Sequence, residues 1–516
     1  MKYRQIKMAT ITTALFSWGM LCLAQGINTT GPWGPQPEMH PASEQKSTRE
    51  LPFRSWQFQN DNLNIEELIT AAPDFGVNNI QLSHDQVMFA HKLLSHPDKI
   101  KRFNTYIELA HSKSMTVHVW THEFAGIPPE VTREKNWFDK PAVWDLLDKR
   151  YTKLFEVMPD LDGVVLTFHE TEIKVFDVKS KLPLAERVAK LINHLHAVCK
   201  KSEKTLVVRT FAYEPKEVEG IAKAFAMIDP DIVLMSKCVP HDWEIFYPHN
   251  LSIGRYSDRK HIIEFDPGAE FYGKGHVPYL YPEYLHFRLQ YARARNTYGY
   301  VARVERQGDN PPAVPGIGKN SGLNEINLYA MKRFSEDPSV TPDQVWKEYM
   351  GKRVGSGPHV EPLIEAMKLT DDVLNRCYFM LGCWYNNHSK LPSKGYADSH
   401  IQYMRKWNAA YDPVCARLKN PDARTVVEVF RESAESVTLA QRALGKLNEA
   451  RKAGLPDKHF KVYEEQLTKL LATAKTWEQH RNAYILEKSG ISKPSGKRPF
   501  PVGGPPRIAH DAQHSE

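Results

Sequence analysis

The sequence predicts a (β/α)8 TIM barrel followed by an α-helical domain. Three observations carry that expectation. From Leu51 onward, short apolar runs alternate with amphipathic segments of about 12–18 residues, the rhythm of βα units. Eight such runs can be counted before residue 340, and several end abruptly in His, Asp, Glu, Arg or Lys. Buried parallel strands read as near-continuous apolar runs, and their carboxyl ends are where α/β proteins place chemistry. A doubly wound sheet is the alternative, but no Gly-rich dinucleotide fingerprint follows an early strand.

The first strand is Ser55–Phe58, followed by a helix starting near Asn64, with Glu66 and Glu67 in its first turn where carboxylates suit the helix dipole. Asn79–Ser83 is the second strand and runs into His84-Asp85; the helix Pro97–Lys113 places Ile100, Phe103, Ile107 and Ala110 on one face. Met115–Trp120 is the third, ending at Thr121-His122-Glu123, and the helix Pro141–Met158 leads to the fourth. That strand, Gly163–Phe168, rises from the turn Pro159–Asp162 and stops at His169-Glu170-Thr171-Glu172. Helix Leu184–Lys200 precedes the fifth strand, Thr205–Val208, which ends in Arg209. Helix Pro215–Ile228 precedes the sixth, Asp231–Met235, which leads to Lys237, His241 and Asp242. Trp243–Arg259 is aromatic and punctuated by Pro and Gly, so no helix is expected there. His261–Phe265 is the seventh strand, ending at Asp266; helix Pro282–Asn296 and the eighth strand Tyr298–Val304 follow, with Glu305-Arg306 at its end. A Pro/Gly-rich loop, Gln307–Gly322, precedes a helix from Asn324.

The domain boundaries follow from shifts in composition. Residues 1–24 have a basic start (Lys2, Arg4, Lys7), an apolar stretch and a small-residue site at Ala24, the layout of a cleaved signal peptide. The expected location is therefore secreted or periplasmic. Residues 25–50 read as a linker, 51–340 as the barrel, 341–488 as the helical domain and 489–516 as a disordered tail rich in proline and glycine. Thr341-Pro342-Asp343-Gln344 is a capping-box start, and Thr425–Ala450 and Lys461–Lys488 carry long helical patterns. The apolar stretch near the start is short for a membrane span.

Formal net charge is +7, of which the first 24 residues hold three and the segment after Lys488 a net two. A body at +2 gives no general electrostatic reason to bind nucleic acid. Beyond Cys22 there are five cysteines, an odd number without zinc-site spacing. Cys377 and Cys383 are close enough in sequence to pair, but buried free thiols are the expectation.

The residues just past the strand ends gather on one rim of the barrel: His84, Asp85, His122, Glu123, His169, Glu170, Glu172, Arg209, Lys237, His241, Asp242, Asp266, Glu270, Arg303, Glu305 and Arg306. Any one of them reads more readily as a rim salt bridge or a solvated loop residue; the set is harder to dismiss. Glycoside hydrolysis needs one carboxyl group to protonate the leaving oxygen and a second as base or nucleophile. Glu170 is the candidate acid, with Asp266 or Glu270 as partner. Glu172 competes with Glu170, and Glu264 points either into the barrel or onto the rim. Arg209, Lys237, Arg303 and Arg306 suit a carboxylate-bearing substrate, with internal ion pairing as the alternative. His241, Trp120 and Tyr272 complete the candidate substrate-binding set, since rings at strand ends can stack on sugar faces. The Phe271–Tyr281 loop sets Gly273 and Gly275 between aromatics, a pattern that asks for backbone freedom. No HExxH and no Cys/His ligand spacing is present, so no metal and no cofactor is expected. Gly-x-Ser-x-Gly is absent too.

The segments His261-Ile-Ile-Glu-Phe-Asp-Pro-Gly-Ala-Glu-Phe-Tyr-Gly and Tyr298-Gly-Tyr-Val-Ala-Arg-Val-Glu-Arg, with Asn324-Glu-Ile-Asn-Leu-Tyr and Pro342-Asp-Gln-Val-Trp behind them, resemble in layout the bacterial α-glucuronidases among barrel-type glycoside hydrolases. The resemblance covers the second half of the barrel and the helices that follow. It implies an inverting hydrolase with an acid on one face of the sugar and carboxylate bases on the other. Two enzymatic readings follow for an acidic oligo- or polysaccharide substrate. One is hydrolysis led by Glu170. The other is elimination by a lyase or dehydratase, in which His122, His169, Arg209 and Lys237 matter more. A non-catalytic sugar-binding barrel is the third reading.

Overall fold

The computed structural model describes residues 50–256, 258–306 and 311–491, together with a two-residue antiparallel ladder pairing 27–28 with 36–37 inside the expected linker. The expected signal peptide, the rest of the linker and nearly all of the expected tail lie outside the described residues.

Eight parallel strands close into a barrel: β1 (Phe53–Phe58), β2 (Asn79–Leu82), β3 (Thr116–His122), β4 (Gly163–Thr167), β5 (Thr205–Arg209), β6 (Val233–Lys237), β7 (His261–Phe265) and β8 (Gly299–Arg303), with β8 returning to pair with β1. The (β/α)8 expectation is met. The main helices between them are α1 (Ile65–Ala71), α2 (Pro97–His111), α3 (Pro141–Val157), α4 (Leu184–Lys201), α5 (Pro215–Ala224) and α6 (Pro282–Arg293), with α7 (Glu325–Glu336) after β8. As expected, no helix links β6 and β7 among the described residues.

Seven of the eight strands differ by one or two residues from their expected bounds, and for two of them the reason is identifiable. β3 runs on to His122 because Thr121 and His122 pair with Leu166 and Thr167 of β4. β6 starts at Val233 rather than Asp231, because Asp229 accepts a hydrogen bond from the Asp231 amide at 2.9 Å and holds that stretch in an Asx turn. Two glycines are demanded by close strand approach. A Cβ on Gly163 would sit 2.2 Å from the Thr205 carbonyl, and one on Gly299 1.9 Å from the Phe53 carbonyl.

Alternation along the strands sorts side chains into two cores. Outward residues pack with the helices. Trp120, Val165, Val207, Val233, Met235, Ile262 and Val301 form a separate cluster inside the barrel. One residue pair further along the same inward rows lie Arg209, Lys237, Glu264 and Arg303. The barrel interior is thus largely apolar through its middle, where Gln81 accepts a hydrogen bond from Trp120, and ionic at its carboxyl end.

Past the barrel come α8 (Pro342–Val354), whose capping box forms through Thr341 and Gln344, and α9 (Val360–Tyr378). A short hairpin, β9 (Phe379–Met380) and β10 (Cys383–Trp384), leads to α10 (Lys394–Trp407), α11 (Asp412–Lys419), α12 (Ala423–Lys452) and α13 (Asp457–Ser489). Helices α9, α12 and α13 pack as one layer. Tyr279 donates to Asn375 of α9 at 2.8 Å, tying that layer to the loop after β7. Cys377 does not pair with Cys383; all five cysteines are free and buried, and Cys383 instead faces Cys415, with Sγ atoms 3.6 Å apart. No described helix is long and apolar enough to cross a membrane.

Candidate active site

The carboxyl ends of the strands open into a pocket of about 290 Å³. Its barrel wall comprises His84, Glu170, Arg209, Phe211, Tyr213, Lys237, His241, Asp242, Glu244, Glu270, Phe271, Arg303 and Arg306. Trp384 and His388 from the hairpin region and Tyr396, His400 and Tyr403 from α10 complete it. Helix α10 is fastened over the mouth: Tyr403 donates to the Tyr213 carbonyl, and Lys406 pairs with Glu214 at 2.8 Å.

The ionic layer starts with Glu264, which is fully buried. It takes a two-pronged hydrogen bond from Arg209 (Nε–Oε2 2.7 Å, Nη2–Oε1 3.0 Å), and Arg303 Nε lies 3.9 Å from its other side. Burial alone would raise its pKa; Arg209, Lys237 and Arg303 reverse that and hold it below the usual carboxylate range. So Glu264 points into the barrel. The Arg209 guanidinium also lies over the rings of Trp120 (4.8 Å) and Phe211 (4.6 Å). Above this layer Lys237 pairs with Asp242, and Glu270 receives Arg303 at 2.5 Å and Arg306 at 3.2 Å. Burial tends to raise the Asp242 pKa, but contact with Lys237 outweighs it and keeps the carboxylate ionised.

Glu170 stands apart. It follows β4 with a left-handed backbone (φ 60°), as does His84 after β2 (φ 53°), and its side chain is 34% exposed. Non-glycine residues in this region concentrate where a side chain must be aimed against local preference. Its nearest basic groups are imidazoles, His84 Nε2 at 3.9 Å and His122 Nδ1 at 4.0 Å. Burial lowers the pKa of both, that of His122 to about 3, so both are neutral near pH 7.

The remaining expected site residues fall outside the pocket wall. His122 is buried and engages the His169 carbonyl through Nδ1 at 2.6 Å. His169 is buried against Phe176 and Tyr213, with Nε2 3.0 Å from Glu217; burial lowers its pKa to about 4. Asp266 turns back to accept the Glu270 amide at 2.7 Å, and burial together with the Glu270 charge raises its pKa well above normal. Trp120 lies beneath Arg209 and donates to Gln81 at 3.0 Å. Tyr272 is buried, donating to the Trp243 carbonyl at 2.5 Å. Glu172 faces solvent, accepting the Gly126 amide. Glu305 accepts the amides of Gln59 and Asn60 where the barrel closes, and burial pushes its pKa up to about 7.

Sequence reasoning missed Tyr213, Glu244, Trp384, His388, Tyr396, His400 and Tyr403. Glu244 fixes His241 through Nδ1 at 2.8 Å, while Phe211, Tyr213, Tyr403 and Trp407 ring the imidazole. The run Trp384-Tyr385-Asn386-Asn387-His388, between two helical patterns, was the signal available for the hairpin's share. The glycines of the 271–281 loop serve a tight turn rather than mobility. Gly273 (φ 86°) and Gly275 (φ 70°) are left-handed, and a Cβ on Gly273 would lie 2.2 Å from Val277.

Among the described residues, one trio brings three potential metal-ligand atoms within 4.8 Å: His196, Asp229 and Asp231. Asp229 and Asp231 precede β6, at the opposite end of the barrel from the pocket, and both already pair with Lys200.

The fold and site define a TIM barrel with a polar pocket at its carboxyl-end mouth, roofed by a helical region. No protein-family model and no curated protein matches the chain. Solved structures with a similar fold include an O-GlcNAc hydrolase mutant from Thermobaculum terrenum, 13% identical, covering 86% of this chain and 87% of that one at a TM-score of 0.45. A GH30 endoxylanase from Clostridium papyrosolvens is 9% identical over 56% of this chain and 73% of its own, at 0.35. A D-psicose 3-epimerase is 12% identical over 59% of this chain and 100% of its own, at 0.32. At these values the likeness describes barrels and carries no chemistry.

Proposed function

We propose that the protein is a glycoside hydrolase acting on a carboxylate-bearing sugar, with Glu170 as the proton donor to the leaving oxygen. The observation that carries this reading is a division among the pocket carboxylates. Asp242 is held by Lys237 and Glu270 by Arg303 and Arg306, whereas the nearest basic groups to Glu170 are two neutral imidazoles. A fixed anion suits a base that activates water; a carboxyl group free of cationic partners can gain and lose a proton. Glu270 and Asp242 are therefore the base candidates from the wall, in place of Asp266, whose carboxyl group is turned onto the Glu270 amide. The acidic-sugar part rests on Arg306, only part of whose guanidinium is used by Glu270 and Gln59, and on Lys237, which has donors beyond the one given to Asp242. The exported location expected from residues 1–24 agrees with a polysaccharide substrate outside the cell.

Elimination keeps one supporting observation. His241, oriented by Glu244, lines the pocket as a base would, whereas His122 and His169 do not. A single assay separates the two. Uronate-bearing oligosaccharides are incubated with the protein while reducing ends and the absorbance of unsaturated uronate are followed together. New reducing ends without unsaturation support hydrolysis; unsaturated product sinks it. Glu170→Gln is expected to abolish turnover with the fold intact, and near-normal activity would remove Glu170 from the role.

A further inference from the structure

Every pocket residue contributed from beyond the barrel lies on one stretch of chain. Trp384, His388, Tyr396, His400 and Tyr403 all fall between Cys383 and Cys415. That stretch is fastened to the barrel along its length: Tyr403 donates to the Tyr213 carbonyl, Lys406 pairs with Glu214, and Tyr411 donates to the Phe246 carbonyl at 2.7 Å. Its two ends return to the same point. Cys383 in β10 and Cys415 in α11 are fully buried, and their Sγ atoms lie 3.6 Å apart.

The surroundings hold both ends there. Cys383 pairs with Met380 across the β9–β10 hairpin, and the Leu381 amide at its tip donates to Glu432 of α12 at 2.9 Å. Cys415 packs against α10: its thiol donates to the Ile401 carbonyl at 3.1 Å, and Gln402 donates to the Cys415 carbonyl at 2.8 Å. A disulfide sets its sulfurs about 2.0 Å apart, so closure asks each Sγ to move by about 0.8 Å, a shift within reach of side-chain rotation. Neither thiol lines the pocket.

We propose that Cys383 and Cys415 form a disulfide that clasps the two ends of the pocket roof, so that the stability of the roof depends on redox state. One cysteine thiolate attacks the disulfide of a thiol–disulfide oxidant and releases its first thiol. The second cysteine then displaces the other half, so the pair gives up two electrons and two protons and the oxidant leaves as two thiols. Compartments outside the cytosol maintain such oxidants, in line with the exported location expected from residues 1–24. The cross-link removes conformations from the undocked stretch and thereby favours the docked one. The clasp goes beyond the hydrolase reading and is measured without turnover.

The test exposes the full chain to oxidised glutathione in two arms, one with folded protein and one with protein refolding from guanidinium. Free thiols are then blocked with N-ethylmaleimide in denaturant and the chain is cut with trypsin, which leaves 377–390 and 407–417 as single peptides. These two are expected to be joined in at least one arm, with the link kept in Cys377→Ser and lost in Cys415→Ser. Recovery of both peptides unjoined and alkylated in both arms overturns the disulfide, and so does a link that vanishes with Cys377→Ser. Hydrogen exchange then reads the clasp. Roof amides over 384–403 are expected to exchange about tenfold or more slowly in the oxidised chain than in chain kept in dithiothreitol or in Cys415→Ser, with β4 amides unchanged. Equal exchange of the roof in the three forms overturns the clasp.

Discussion

Glu264→Gln is the substitution that most directly tests how the site is held. Glu264 is a buried anion between two buried cations, joined to Arg209 by bonds of 2.7 and 3.0 Å and 3.9 Å from Arg303. Glutamine keeps the shape and one acceptor oxygen but removes the charge, leaving the Arg209 guanidinium buried without its counter-charge beside the faces of Trp120 and Phe211. Breaking a buried pair by removing one partner costs about 3–5 kcal/mol, because the other charge is left desolvated. The exposed pair Lys394–Glu487, 2.8 Å apart, is an internal reference, since solvent screens an exposed pair. Denaturant unfolding at pH 7 should therefore place Glu264→Gln well below Glu487→Gln. Arg209→Met/Glu264→Leu should recover much of the loss, because no isolated charge remains. The effect also has a pH signature. The folded-state pKa of Glu264 is depressed, so its contribution is present above the unfolded value and is lost as pH falls through the folded one. The gap between native and Glu264→Gln should shrink below about pH 4. A Glu264→Gln chain as stable as Glu487→Gln would refute the view that this carboxylate anchors the ionic layer.

Three other outcomes follow from the structure. If Glu170 protonates the leaving group, Glu170→Gln should lose about 10²–10⁴-fold on a natural glycoside but far less on a nitrophenyl glycoside, whose leaving group needs no proton; equal losses would argue for a binding role. Glu305, with its folded pKa near 7 against about 4.3 unfolded, binds more protons folded than unfolded between those values, so native stability should decline by about 4 kcal/mol as pH rises across that window. Melting temperature against pH should show the decline flattened in Glu305→Gln. Gly163→Ala, which sets a Cβ 2.2 Å from the Thr205 carbonyl, should prevent normal barrel closure, whereas Gly445→Ala, on an open face of α12, should stabilise by about 0.5–1 kcal/mol in the same melts.

The barrel was legible in the sequence because each strand is a short apolar run closed by a turn and followed by an amphipathic stretch, a local pattern that needs no partner to be seen. Gly163–Thr167 could be placed from its own residues. What Glu170 faces could not be. His169 and His122 read as rim groups beside it, yet alternation along the chain turns His169 toward Glu217, and His122 is spent on the His169 carbonyl. The sequence also gives no sign that Asp266 would turn back onto the amide of Glu270, because an Asx-type bond depends on the turn that follows. The largest omission was the roof. Tyr396, His400 and Tyr403 lie on α10 at spacings of four and three, a helical face that reads as packing surface until its partner is known to be the barrel mouth.

That roof bears on how the pocket works. Four cations and four carboxylates line the wall, so their formal charges cancel, and the pocket cannot select an anion by net charge alone. Selection must come from which donors remain after the internal pairs are made. The pairs are fixed from below: Glu264 holds Arg209, and the loop that presents Glu270 to Arg303 is itself tied to Asp266 and Ser389. Tyr213, Tyr403 and Trp384 add aromatic surface to the same pocket. Glu170 sits where these constraints are weakest, partly exposed, on a strained backbone and beside imidazoles that stay neutral. That separation from the ion pairs is what the proton-donor role proposed for Glu170 requires.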